Sequence, residues 1–458
     1  MANPIVTINV SVTNPPAPSK LLRTGAIISQ GGTSLTAGTY SLLTQNSDLT
    51  PLLTAGKAIT SAVWSGGVVT VTTTAPHGYP SAETIGLTIA GMTPAAYNGT
   101  FQATITGAST FTYPLASNPG TATVFGIVTD VDVAELISQV TTFFSQGKSA
   151  SVYVLEFGAG VPADGVAALN TYINANPQFF FSYLVPREWD TEPTFKTFVG
   201  QFNTPSALVK FFVTTTISTY SAWTSLNSCV FAHVEAPGLP ATEFSCAAAF
   251  YVTLNYNPSS AQQVGPLCFS FVYGVTAYPT VGNSALLTAL KAANINYIAT
   301  AAEGGLTNTM LVWGHMLDGN PFNYWYTIAW AIINLDSNIS NEVINGSNNV
   351  LAPLYYNQPG ITRLQNRGAQ TLRSGVSYGL VLGQVIVVSL AQTDFVAAVA
   401  AGTYAGNAVI NAIPFTSYAS ANPSDYSIGK YGGLSAAITP ARGFEQIIFN
   451  LNVSNFVS

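Results

Sequence analysis

The sequence predicts a multidomain α/β (α+β) chain. It reads as a mixed-sheet α/β body, an inserted all-β sandwich or barrel, and an extended β-strand arm at each end. Three observations lead there. Residues 63–127 hold short runs that alternate apolar and polar residues with almost no charge, which marks half-buried strands. Residues beyond 128 alternate helical and strand signals, the pattern of an α/β domain with a parallel or mixed sheet. Both ends of the chain carry a cleanly alternating strand, the first of them on a proline-rich tether.

In the first arm, Val6, Ile8, Val10 and Val12 alternate with Thr7, Asn9, Ser11 and Thr13. Asn14-Pro15-Pro16-Ala17-Pro18 follows. Prolines so dense cannot join a helix or a sheet interior, so this is a stiff, extended spacer. The strand is then either an edge strand of its own domain or one lent to a neighbouring subunit. Residues 24–29 read as a strand of the body, which we assign to 21–62 and 128–372.

Within 63–127 the alternating sets are Val69 and Val71; Ile85, Leu87 and Ile89; Phe101, Ala103 and Ile105; and Phe111, Tyr113 and Leu115. Turn chemistry separates them at Pro76-His77-Gly78, Asn98-Gly99, Gly107-Ala108-Ser109 and Asn118-Pro119-Gly120. Past this module, helices are expected at 132–144, 162–174, 191–202 and 241–254. Strands are expected at 151–157, 179–185, 207–215 and 228–234. Asn320-Pro321 opens the longest helical signal, because Asn suits the N-cap and Pro the first turn. Residues 353–363 read as a loop and 378–390 as one or two strands. A Gly/Ala/Asn-rich stretch follows to about residue 440, within a C-terminal assembly domain expected over 373–458. The chain closes on a second alternating strand, with Phe449, Leu451 and Val453 on one face.

Composition narrows the function. The 458 residues suffice for about three domains. Only 7% are charged, against roughly 25% in ordinary soluble chains. Mean hydropathy is positive, yet the longest apolar stretch, 380–390, falls short of the ~20 residues of a membrane span. Such a chain exposes apolar surface as a monomer, so much of it is expected to be buried against other subunits. A net charge of −6 with 13 scattered basic residues argues against nucleic acid, which needs a basic patch. Residues 1–6 lack the basic and apolar regions of a signal peptide. Cys229, Cys246 and Cys268 lack metal spacing and read as buried thiols of a reducing compartment.

Chemistry-bearing residues are few. His77 lies in a Pro-His-Gly turn. His233 and Glu235 form a single His-x-Glu, which is short of the three or four ligands that zinc needs. His315 and Asp318 could belong to a catalytic triad only by geometry, and no Gly-x-Ser-x-Gly elbow is present. Nucleotide-binding glycine loops are absent as well. We therefore expect no enzyme, no cofactor and no metal.

Some residues carry a resemblance. Thr74-Ala75-Pro76-His77-Gly78-Tyr79, Tyr97-Asn98-Gly99-Thr100-Phe101 and Ser109-Thr110-Phe111-Thr112-Tyr113 resemble a β module that recurs in bacteriophage structural proteins. Joined to the two end strands, the α/β body and the block Trp313-Gly314, Asp318-Gly319, Trp330 and Tyr356-Asn357-Gln358-Pro359-Gly360-Ile361, the whole chain resembles the contractile-tail sheath proteins of tailed phages. The resemblance implies hexameric rings of subunits around an inner tail tube, with baseplate and tail-terminator proteins as further partners. It implies a virion tail assembled in the host cytoplasm, with no direct insertion into a membrane. It also implies that N- and C-terminal arms from neighbours complete a sheet in the C-terminal domain. Val6, Ile8, Val10, Val12, Phe449, Leu451 and Val453 would then be the strand-exchange residues. The alternatives are a non-contractile tail or baseplate protein, or an adhesin whose β module binds host glycans.

With so little charge, assembly must rely on apolar contact and main-chain bonds. We expect the polymer to survive transfer to about one molar NaCl, where the Debye length is ~3 Å. Sedimentation at low and high salt measures this, and dissolution at high salt would contradict it.

Overall fold

A computed structural model describes residues 25–177, 179–204, 206–223, 227–239, 242–254, 265–279, 283–300 and 308–445. They form two compact units. The larger comprises residues 25–254 and Phe269–Asn320, and the smaller comprises 265–268 and 321–445.

The larger unit begins with β1 (Gly25–Ser29), a wholly buried strand, and β2 (Tyr40–Leu43), a half-exposed one. Next come the six strands of a closed barrel: β3 (Lys57–Ser65), β4 (Val68–Thr73), β5 (Thr84–Ala90), β6 (Gly99–Gly107), β7 (Thr110–Pro114) and β8 (Ile127–Asp130). Their order is β3-β4-β7-β6-β5-β8, and every neighbouring pair is antiparallel. The alternation seen in the sequence sorts the two sides. Val69, Val71, Leu87, Ile105, Phe111 and Tyr113 fill the interior. Threonines line the outside, where Thr84 pairs with Thr104 and Thr88 with Thr100. The β3–β4 turn needs φ > 0 at both central residues, which Gly66 (+58°) and Gly67 (+90°) supply. Of the sandwich and the barrel that the sequence allowed, the chain forms the barrel, which leaves no open edge.

The chain passes from barrel to body without a linker. Asp130 ends β8, and its carboxylate accepts the Asp132 N–H as N-cap of α1 (Val131–Ser145). The body continues through β9 (Val152–Glu156), α2 (Pro162–Ala175), β10 (Ser182–Leu184), α3 (Pro193–Gly200), β11 (Lys210–Thr215), β12 (Val230–Val234) and α4 (Ser245–Leu254). It ends with α5 (Ser284–Ala292), β13 (Tyr297–Thr300) and β14 (Thr309–Val312). Strand order in the main sheet is β12-β11-β10-β1-β9-β2. Only β2 runs antiparallel to its neighbour. Ala26, Ile28, Leu155 and Phe211 share a core with Val166 and Leu169 of α2 and Phe195 and Phe198 of α3. Phe212, on the other face, meets Phe250 of α4 at 5.1 Å. Both faces are thus covered, as a parallel sheet requires.

The apolar run at 179–185 is strand only over Ser182–Leu184. Phe179 and Phe180 instead pack against the rings of Tyr40, Tyr153 and Tyr172, Phe180 stacking on Tyr172. A short apolar run reports burial and does not by itself distinguish strand from buried coil.

The smaller unit contains α6 (Phe322–Ser347), α7 (Gln358–Ser377), β15 (Val385–Val388), α8 (Gln392–Ala400), β16 (Ala408–Ala412), α9 (Phe415–Ala421), α10 (Pro423–Ser427) and β17 (Leu434–Ala437). At 1.5 Å per residue α6 is about 39 Å long. The helix α7 departs from expectation, since its start falls inside the expected loop. Asn357 caps it by accepting the Gly360 N–H at 3.0 Å, and Pro359 occupies the first turn. Its buried face includes Ile361, Gly368, Ala369, Leu372 and Gly375 at helical spacing, a stripe in which glycines stand among the apolar residues. Those small residues permit close packing. A Cβ on Gly368 would lie 2.3 Å from Ile410 of β16, and one on Gly375 would lie 2.8 Å from Trp330 of α6.

The barrel interior generates one prediction. Phe111 is fully buried and central, and Phe111→Ala is expected to cost about 3–5 kcal/mol. Urea unfolding of wild type and variant, followed by tryptophan fluorescence, measures it. A loss below 1 kcal/mol would mean that the barrel core is not close-packed.

Candidate assembly surfaces

The seven strand-exchange residues named from the sequence, Val6, Ile8, Val10, Val12, Phe449, Leu451 and Val453, lie outside the described residues. The described part shows a surface onto which such strands could add. In the smaller unit β16 is central, wholly buried, parallel to β15 and antiparallel to β17. Among the described residues the outer edges of β15 and β17 are unpaired. The strand β15 is Val385-Ile386-Val387-Val388, four β-branched residues, and Val387 is 42% exposed. That chemistry favours strand over any other conformation and makes an unpaired edge a template for another chain.

Three side chains hold this edge strand in place. The Gln384 N–H donates to Asn407 Oδ1 at 3.0 Å, just before β15. Just after it, the Leu390 N–H donates to Asn411 Oδ1 at 2.7 Å, and Asn411 Nδ2 donates back to the Leu390 carbonyl at 3.1 Å. From α7, Gln365 Nε2 donates to the Val388 carbonyl at 2.6 Å. An edge held at both ends is pre-organised, so less ordering entropy opposes strand addition. The sequence reading missed this, because Asn407, Asn411 and Gln365 carry no local signature.

An aromatic knot supports β17. Tyr356 meets Phe415, Tyr426 and Tyr431 at 5.3–6.0 Å. The Tyr418 hydroxyl donates to Asp425 Oδ2 at 2.8 Å and accepts the Gly432 N–H at 2.8 Å. Tyr431 donates to the Ile413 carbonyl at 2.6 Å. Elsewhere in this unit, the turn joining α6 and α7 presents Val350 and Leu351, which are 93% and 96% exposed. An open groove beside that turn is lined by Glu342, Arg363 and Arg367, and Arg363 is ion-paired to Glu342.

The polar residues singled out from the sequence do structural work in the larger unit. His77 stacks on Tyr79 at 4.7 Å, and its Nδ1 accepts the Tyr79 N–H at 3.1 Å. His233 on β12 meets the Ser245 hydroxyl at the start of α4 at 2.9 Å. Both side chains are buried, and the pair pins α4 to the sheet. Glu235 binds Arg187 through two bonds of 2.6 and 2.9 Å. The His315 ring lies 4.4 Å from Trp313. The Asp318 carboxylate accepts from the N–H and side chain of Asn320. Cys229, Cys246 and Cys268 are buried and none is in a disulfide. Burial pushes the thiols of Cys229 and Cys246 up, the first to about 12, so neither is a reactive thiolate. Among the described residues no cluster of three or more ligating side chains could hold a metal, and no helix is long and apolar enough to cross a membrane.

No family model matches the sequence, and no curated protein matches it. Similar solved structures exist. The helical sheath of the anti-feeding prophage in its contracted state is 11% identical, with 98% of this chain and 99% of that chain covered and a TM-score of 0.49. The sheath tail protein of Listeria innocua is 10% identical, with 78% and 86% covered and a TM-score of 0.39. That of Desulfitobacterium hafniense is 11% identical, with 81% and 90% covered and a TM-score of 0.38. These structures are of the family named from the sequence.

His233 generates a pH prediction. Burial pulls its imidazole down to about 3, below the ~6.5 of an exposed histidine. The unfolded chain therefore takes up this proton first as pH falls. The stability tied to the neutral ring is complete above about pH 6.5 and is lost progressively toward pH 3. Between pH 7 and 4.5 the wild type should lose more stability in urea than His233→Gln. Equal losses would show that this histidine does not set the acid sensitivity.

Proposed function

We propose that this chain is the sheath subunit of a contractile phage-type tail. In this reading it polymerises as hexameric rings around an inner tail tube, binds baseplate and terminator proteins at the ends, and contracts to drive the tube through a host envelope. The observation that carries the reading is the apolar edge strand Val385–Val388, clamped at both ends and unpaired on its outer side among the described residues. A monomer gains nothing from such an edge and risks aggregation. A polymer uses it for β-strand addition, with directional main-chain bonds and side-chain pockets. The chain also contains two alternating segments suited to the donor role, around Val6 to Val12 and Phe449 to Val453.

The same scheme suits contraction. Strands exchanged between subunits keep a lattice connected while bodies rotate, and the 14–18 spacer can act as the hinge. Each fully buried Val or Leu contributes about 1.5–3 kcal/mol. Ordering a free arm costs roughly 1–2 kcal/mol per residue. Each junction is therefore modest, and repetition holds the polymer. The barrel, closed on itself, needs no neighbour to bury its core, and we assign it the part of an inserted module on this frame.

The test is truncation. Variants lacking residues 1–18, or ending after Gln446, should be folded by circular dichroism yet form no cylinders in negative-stain micrographs. Wild-type protein should form striated tubes. Cylinders from either truncated variant at the same concentration would show that the end segments are not the connectors.

A further inference from the structure

Helix α7 of the smaller unit contains Arg363, Arg367 and Arg373 and no acidic residue. The open groove beside the α6–α7 turn is lined by Arg363, Arg367 and Gln370 of α7 and by Glu342 of α6. Glu342 is the one acid of that lining and is ion-paired to Arg363. Arg363 Nη1 also donates to the Ala352 carbonyl at 2.8 Å. Arg367 Nη2 donates to the uncharged Asn338 side chain at 2.9 Å, and its buried Nε has no partner. Asp336 stands two residues from Asn338 and so falls on another side of α6. Asn366, Gln370 and Arg373 continue along α7 at helical spacing and are exposed. One acid against three arginines leaves this face basic, in the planar guanidinium form that pairs with carboxylates.

The larger unit presents the opposite sign. Gln30 donates to the Val161 carbonyl at 3.2 Å and accepts from Trp189 Nε1 at 2.6 Å, and Gly165 packs directly on its side chain. One buried glutamine thereby brings together the start of α2 and the turn Arg187–Asp190. Asp164, next to Gly165, and Glu188, next to Trp189, are both exposed. Glu83 of the barrel accepts the Val161 N–H at 3.3 Å and lies beside Asp164 near Gly160. Glu192 follows Glu188 and caps α3 through the Thr194 N–H. The cations of this region are engaged elsewhere. Arg187 is bonded to Glu235 and Glu135, and Lys196 lies over the Trp223 ring at 5.0 Å.

We propose that the α7 groove receives the Asp164–Glu188 rim of a second copy of this chain. The inference rests on the self-assembly read above and names the two faces that meet. Each face lacks countercharge on its own unit and finds it on the other unit of a neighbour. A contact between two different faces can repeat head to tail, into rings or filaments. A few exposed ion pairs add little to the strength of a polymer. They steer encounter and set register. The finished polymer therefore still resists salt, while its rate of formation falls as salt rises.

Two full-length variants test this. Partial burial, then Glu135 and Asp130, hold Glu188 up at about 7, so assembly is followed at about pH 8, where the rim carboxyls are ionised. One variant is Gln370→Glu/Arg373→Glu and the other Asp164→Lys/Glu188→Lys. All four side chains are exposed, and circular dichroism should show both variants folded. Each alone should assemble at least about tenfold more slowly than wild type at low salt, by light scattering. An equimolar mixture should recover the wild-type rate, because each variant then offers the face that the other needs. If a reversed variant misfolds, the neutral changes Arg373→Gln and Glu188→Gln apply. Each should slow assembly, and together they should slow it no further. Wild-type rates from both reversed variants, or a mixture no faster than its components, would overturn the contact and leave the sheath reading standing. So would additive effects of the two neutral changes. A wild type that forms no tubes would overturn the sheath reading, and sedimentation then decides the contact. Complexes in the wild type and the mixture but in neither variant support it, and their absence overturns it.

Discussion

A buried carboxylate at the end of β9 organises the larger unit. Glu156 is fully buried, and an ionised group in that position is tolerated only when its lone pairs are satisfied. Five donors do so: the Ser29 and Thr33 hydroxyls and the N–H groups of Gly31, Thr33 and Gly158, all at 2.6–3.0 Å. The bonds draw the loop after β1 and the loop after β9 around one point. The next residue in that loop network, Gln30, accepts from Trp189 Nε1 at 2.6 Å and donates to the Val161 carbonyl. A Cβ at Gly165 would lie 2.3 Å from the Gln30 side chain, so α2 can approach only because that position is glycine. The register of β1 against β9, the start of α2 and the placement of Trp189 therefore depend on one acid.

The barrel and the smaller unit treat sheet edges in opposite ways. The barrel pairs every strand with two neighbours, so its main chain is satisfied internally and its outer face can be uncharged threonine. The three-stranded sheet of the smaller unit uses side chains of Asn407, Asn411 and Gln365 to hold an edge whose outer side is unpaired among the described residues. Low charge makes sense of the contrast. A chain with 7% charged residues cannot guard an edge with lysines. It must either close the edge or use it.

Close packing by small residues is the second device of the smaller unit. Gly368 and Gly375 let α7 lie against β16 and Trp330, where any side chain would force the helix outward. The same residues lower the helix's own propensity by roughly 1 kcal/mol each relative to alanine. The helix is thus stabilised by its contacts more than by its composition.

Much of this was legible in the sequence where periodicity and turn chemistry agree. The barrel strands β4 to β7, with β1, α1, α2 and α6, follow from alternation of period two or 3.6 together with Asn98-Gly99 and Asn320-Pro321, because those patterns are local consequences of backbone geometry; β3 and β8, which complete the barrel, were not among the strands read from the sequence. What only the tertiary structure decided has a different origin. Closure of the barrel and the truncation of the 179–185 strand depend on partners distant in sequence. So do the Glu156 cage and the clamped edge at Val385–Val388. Gln365 reaches Val388 only after folding, and a lone asparagine has no period to read. Local order is set by the chain's stereochemistry. The surfaces available for function are set by which residues packing brings together and which edges it leaves open.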